Sequence, residues 1–148
     1  MKNIYKILIP AFSLVLIFTL MSFSGCEKKN PPLQQSNICN KWKLISFVNG
    51  AETIAPDPNG QNNFWIEFLP DSTMTGVSST NQMYGNFQIG DNNEIQIAIH
   101  TMTEINELGN GILFVDNLLR VSLFTVTESE LKLYYSENGY LLFNLYQQ

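Results

Sequence analysis

From Lys41 to the end of the chain, apolar residues recur at every second position in short runs, and turn residues close each run. Successive side chains of an extended chain point to opposite faces, so this period of two buries one face of a sheet and cannot bury a helix stripe. In Trp42-Lys43-Leu44-Ile45-Ser46-Phe47-Val48, positions 42, 44 and 48 share a face, and Asn49-Gly50 supplies the left-handed conformations of a tight hairpin. After the loop Asp57-Pro58-Asn59-Gly60, Phe64, Ile66 and Phe68 alternate with Trp65 and Glu67 until Pro70-Asp71 stops the run. A weaker strand at 72–77 and a better one at 84–89 follow. The second of these ends at Gly90-Asp91-Asn92-Asn93, and Ile95, Ile97 and Ile99 then form a half-buried strand.

One segment breaks the period. After Gly111, Phe114, Leu118 and Val121 recur at helical spacing, Ile112, Val115 and Leu119 widen the stripe, and Asp116, Asn117 and Arg120 mark the other side. Strand periodicity returns at 123–127. Leu131, Leu133 and Tyr135 then alternate with polar partners, and Asn138-Gly139 turns the chain into a last strand at 140–146. About eight short strands with one helix before the last three bury little unless the sheet curls and the helix covers its open side. The expected fold is therefore mainly β (α+β): a small, strongly curled antiparallel sheet or barrel with one amphipathic helix.

The N-terminus has a different character. Lys2 and Lys6 precede an apolar stretch at 7–23, which reads as the positive and hydrophobic regions of a secretory signal. At about 17 residues it is at the short limit for a spanning helix, and a plain transmembrane anchor is the other reading. The stretch ends in Phe23-Ser24-Gly25-Cys26, which resembles the lipobox of bacterial lipoproteins. Small residues there admit the backbone to a peptidase, and the Cys26 thiol accepts the lipid. The resemblance implies a signal peptide at 1–25, a palmitate-type lipid anchor on Cys26, and a location in the cell envelope. The expected side is the outer membrane facing the periplasm, with the cell surface as the alternative. Residues 26–37, with a Pro-Pro pair and no apolar periodicity, form a tether, and 38–148 form one domain.

The chain carries 8 Lys plus Arg against 13 Asp plus Glu. Loss of Lys2 and Lys6 with the signal takes its formal charge from −5 to −7. Such a domain is not expected to bind nucleic acid or anionic headgroups. A disulfide between Cys26 and Cys39 is an arithmetic alternative that lipidation of Cys26 excludes. Cys39 then reads as a small, partly buried residue near Trp42, with an intermolecular thiol as the second reading.

Several stretches together resemble the META domain family of heat-shock-associated envelope lipoproteins. They are Trp42-Lys43-Leu44, Ile66-Glu67-Phe68, Asn81 with Tyr84-Gly85-Asn86-Phe87, Thr101-Met102-Thr103, and the helix followed by Leu131-Lys132-Leu133 and Leu142-Phe143. The resemblance covers roughly residues 40 to 146 and implies a compact β-rich fold with a role in envelope stress or maintenance. It carries over no catalytic residue. Ser79-Thr80-Asn81 stands where members often have Gly-Cys-Asn, so the disulfide of some members cannot form here. A second resemblance, to lipocalin-like lipoproteins, implies a barrel enclosing a small apolar ligand.

Catalytic constellations are not evident. His100, the single histidine, lies at a strand end and reads as a surface or structural residue. One His and one further Cys make a zinc site improbable. Asp57-Pro58-Asn59-Gly60 fails as a calcium loop, because Asn62 and Phe68 stand where glycine and an acid belong. Glu104 and Glu107 read as solvated charges in a polar loop without partners. Trp65, Tyr134 and Tyr140 read as an outer aromatic cluster that serves either as a contact patch or as packing against the helix. No cofactor or metal is expected. The anticipated function is a non-enzymatic envelope lipoprotein acting on another envelope protein. The alternatives are a carrier of a small apolar ligand and, on loop length alone, an inhibitory loop at 52–63.

Overall fold

The computed structural model describes residues 37–147; the stretch expected to be a signal peptide (1–25), Cys26 and the expected tether up to residue 36 lie outside the described residues. Among the described residues the strands are β1 (Lys41–Asn49), β2 (Glu52–Ile54), β3 (Trp65–Phe68), β4 (Thr73–Val77), β5 (Gln82–Ile89), β6 (Ile95–Met102), β7 (Leu123–Val126), β8 (Glu130–Tyr134) and β9 (Gly139–Leu145), with a nine-residue helix, α1 (Gly111–Leu119), between β6 and β7. All pairings are antiparallel, in the order β6-β5-β4-β3-β1-β9-β8-β7, and β2 pairs only with β1. The sheet curls into a half-barrel. Its two edges meet at one point, where Glu94 bridges Leu123 and the Ile95 amide donates to the Ser122 carbonyl at 3.0 Å. The mainly β, strongly curled architecture expected from the alternation is what the chain forms.

Two hairpins depend on the residues that the turn chemistry singles out. Gly50 takes φ +61 at the β1–β2 turn, where L side chains rarely go. Asn92 and Asn93 take φ 55 and 64 between β5 and β6, a conformation that asparagine tolerates better than most residues. The segment from β1 to β3 is not a simple loop, because Glu52–Ile54 adds a short strand to β1.

The core is aromatic. Trp42, Phe64, Phe68, Phe87, Phe114, Phe124 and Phe143 are all essentially inaccessible, and among the described residues the buried core runs from Ile38 to Phe143. Phe64 enters at φ 49, a left-handed conformation that costs a bulky residue about 1–2 kcal/mol. Its amide and carbonyl both remain bonded, to Ser78 O and Leu44 N at 2.8 Å each. The kink stands its ring edge-on against Phe114 of the helix (5.5 Å) and Phe47 of β1 (6.5 Å).

Two facing expectations need correction. A β-bulge shifts the β1–β9 register between Leu44 and Ser46, so Phe47 rather than Val48 continues the core face of Trp42 and Leu44. In α1, Phe114 and Leu118 are buried with Val121 beyond the helix, but Ile112 and Leu119 face outward and Asn117 is buried. The helix turns a narrower stripe inward than the sequence pattern offers.

Candidate functional site

The strand registers place the β1–β2 hairpin, the β4–β5 turn and the β6–α1 loop at one end of the barrel. The described chain starts at the other end, where the Phe68 amide donates to Asn40 O. At the first end a polar cluster forms around Glu107. Its carboxylate accepts hydrogen bonds from the hydroxyls of Ser78 and Ser79 and, at 2.7 Å, from the Asn81 side-chain amide. The Asn81 amide also spans the opposing loop: Nδ2 donates to Ile105 O at 2.7 Å, and Oδ1 accepts from Ile105 N at 2.8 Å and Thr103 Oγ1 at 2.9 Å. Ser79 Oγ accepts from the Leu108 amide at 2.8 Å. Ser78, Ser79 and Asn81 are themselves buried, so these bonds satisfy groups that water does not reach.

The expectation that Glu107 lacks partners is therefore wrong; its partners lie nearly thirty residues earlier. Burial alone would raise its carboxyl pKa, but the hydrogen bonds from Asn81, Ser78 and Ser79 outweigh burial and hold the pKa below its ordinary value. All these donors are neutral, so the cluster fixes an anion without cancelling it. Glu104 stays exposed, as read.

A second tie joins the 55–58 segment to the start of the helix. Asn110, just before α1, accepts from the Asp57 amide at 2.8 Å through Oδ1 and donates to Ala55 O at 3.2 Å, while its own amide donates to Asp57 O at 2.9 Å. Gly109, at φ +51, passes so close to Asp57 that a Cβ would lie 2.0 Å from the Asp57 carbonyl oxygen. Further along the 52–63 segment, Lys43 Nζ donates to Gly60 O and Asn63 O, and Tyr146 Oη donates to Gln61 O at 2.9 Å. The stretch is thus braced at both ends.

The helix and loop so positioned present aliphatic side chains outward. Ile105, Leu108, Ile112 and Leu119 are 59%, 55%, 65% and 50% exposed. Ile112 and Leu119, seven positions apart, lie on one face with Asp116 between them.

The other candidates are dispersed. His100 is exposed and pairs with Asn86 Oδ1 across β5 and β6. Tyr134 and Tyr140 pack together at 5.4 Å, but Trp65 belongs to a separate group in which Lys41 lies over the rings of Trp65 (3.9 Å) and Tyr146 (4.4 Å). The single outer cluster is in fact two. Cys39 is partly buried against the core, where burial and then the Asp71 charge push its thiol pKa up and away from the reactive thiolate. Open clefts of about 580 and 550 Å³ flank the Glu94–Leu123 bridge, the second lined by Leu123, Phe124 and Tyr134. Cys26 lies outside the described residues.

No protein-family model matches the chain, and no curated protein sequence matches it. Solved structures share its fold. A DUF4847 family protein from Bacteroides vulgatus superposes with a TM-score of 0.61 at 14% identity, over 79% of this chain and 100% of that one. A protein from Burkholderia xenovorans, solved by NMR, superposes with a TM-score of 0.64 at 14% identity, over 80% of this chain and 90% of that one. At such identities the likeness is one of fold.

Proposed function

We propose that this protein is a membrane-anchored envelope lipoprotein, held by a lipid on Cys26, whose META-like domain is non-enzymatic and works by contact with another envelope component in stress or maintenance. The observation that carries this reading is where the aromatic residues go. A carrier needs an enclosed apolar volume, whereas here Phe47, Phe64, Phe114 and Phe143 meet ring against ring across the interior at 5.5 to 6.5 Å. Aliphatic side chains are left outward on the helix and its approach loop. The turn at which the chain departs from the META pattern, Ser79-Thr80-Asn81, is the one that grips Glu107 and shapes that surface.

The anchor is tested by fatty-acid labelling in cells: Cys26→Ala should abolish it, and labelling that persists would refute the lipoprotein assignment. A second reading, a carrier of a small apolar ligand, draws on the 550 Å³ cleft beside Leu123 and Phe124. Native mass spectrometry of the purified protein separates the two, since a stoichiometric apolar ligand favours the carrier.

A further inference from the structure

The helix has two apolar faces, and the fold covers only one. Phe114 and Leu118 sit in the core, while Ile112 and Leu119 project into solvent two turns apart, a span of about 10 Å. Leu108 and Ile105 continue this strip into the loop that Asn81 and Ser79 hold by its backbone. Soluble domains seldom fix so much aliphatic surface in water without using it. An amphipathic segment laid along such a face is a recurrent mode of recognition, with anchors at helical spacing.

Charge selects among the occupants. Residues 103–119 contain Glu104, Glu107 and Asp116 and neither Lys nor Arg, and the one adjacent base, Arg120, lies over the Tyr135 ring at 5.9 Å. The exposed Asp57 is tied to Asn110 at the same end. Glu107 is held ionised by neutral donors alone. A second copy meeting the first through this face would set acid against acid, as would a bilayer of anionic phospholipid. A cationic partner gains from every one of these groups.

We propose that this strip docks a basic amphipathic segment of another envelope polypeptide. Its aliphatic residues pack on Leu108, Ile112 and Leu119, and its Lys or Arg groups face Glu104, Glu107 and Asp116. The inference rests on the contact reading above and adds the chemistry of the partner.

The purified full chain is titrated against a fluorescent Leu–Lys amphipathic helical peptide and a Leu–Glu peptide of equal length. Saturable binding of the Leu–Lys peptide alone is expected. The pair Ile112→Ser and Leu119→Ser should weaken it by about tenfold or more. The pair Glu104→Lys and Asp116→Lys should weaken it similarly and flatten its salt dependence. All four side chains are exposed, and unchanged circular dichroism spectra certify the fold. Absence of saturable binding, or binding indifferent to both pairs, overturns the proposal. It is equally overturned by binding to phosphatidylglycerol vesicles, or by dimerisation, that the Ile112→Ser and Leu119→Ser pair abolishes. Fatty-acid labelling of the full chain is independent of these variants. Loss of peptide binding with labelling intact thus removes the docking strip and leaves the anchored domain standing.

Discussion

Gly111→Ala sets two well-understood effects against each other. Gly111 is the first residue of α1, and alanine in place of a helical glycine ordinarily gains up to about 1 kcal/mol. Its φ is not in the left-handed region, so the backbone raises no objection. The obstacle is the Glu107 cluster: a Cβ on Gly111 would lie 2.2 Å from Glu107 Oε2, 2.3 Å from Ser79 Oγ and 2.9 Å from Ser79 Cβ. Restoring ordinary contact moves both oxygens by about 1 Å or more. The two oxygens belong to side chains that can swing, but swinging breaks the Ser79–Glu107 bond and the bond from Leu108 N to Ser79 Oγ. Water replaces part of the loss because Glu107 is only partly buried, so about 1 kcal/mol per bond is the discounted figure. The cost of about 2 kcal/mol exceeds the gain, and the net destabilisation is about 1 kcal/mol, a fall in Tm of roughly 3–6 °C. Urea unfolding followed by circular dichroism reads it at neutral pH. In a Ser79→Gly, Glu107→Ala background, which removes all three of these atoms, the same substitution should become neutral or stabilising. If Gly111→Ala stabilises the wild type, or costs the same in both backgrounds, the cluster does not bind as described.

Acid should weaken the same cluster. Because the Glu107 carboxyl is held below its ordinary value of 4.5, its contribution is complete above that value and is lost as the pH falls through the folded one. The stability gap between wild type and Glu107→Gln should therefore hold from neutrality down to about pH 4.5 and close on further acidification, and a gap that widens in acid would contradict the assignment. On α1, Phe114→Ala empties a fully buried site between Phe64 and Phe143 and should cost about 3–5 kcal/mol in chemical denaturation, while Leu119→Ala should cost under about 0.5 kcal/mol. Equal losses would mean that the two faces of the helix are wrongly assigned.

What could be read from the chain and what could not follow from the range of each interaction. Alternation at Phe64, Ile66 and Phe68 is local, and it located β3 and its buried face without knowledge of any partner. The bulge at Ile45 is a property of the β1–β9 pair, and nothing within β1 announces that the inward face shifts there to Phe47. Periodicity also placed the helix but could not divide its apolar residues between core and solvent. Which side of the helix meets the sheet decides that, and the side carrying Phe114 and Leu118 is buried while Ile112, two positions from Phe114, faces away. Glu107 was misread because its donors are distant in sequence. The one local hint was Ser78-Ser79-Thr80-Asn81, a run of short polar side chains of the kind that bond to nearby backbone and to facing loops. Glu104 and His100, whose surroundings are mostly solvent, were legible for the opposite reason.

The pairing of β1 with β9 has a consequence for how the chain reaches this state. The first and last strands of the domain are neighbours at the middle of the sheet, joined from Asn49–Gly139 to Trp42–Leu145 and by Tyr146 N to Lys41 O at 2.9 Å. Contacts so far apart in sequence give a high contact order and slow folding. They also mean that a growing chain holds an unfinished central seam until β9 arrives, with β1 and β8 each exposing an edge. Folding of this domain is thus timed by its C-terminus. A chain truncated before Gly139 would lose the strand that joins its two halves, not a dispensable end.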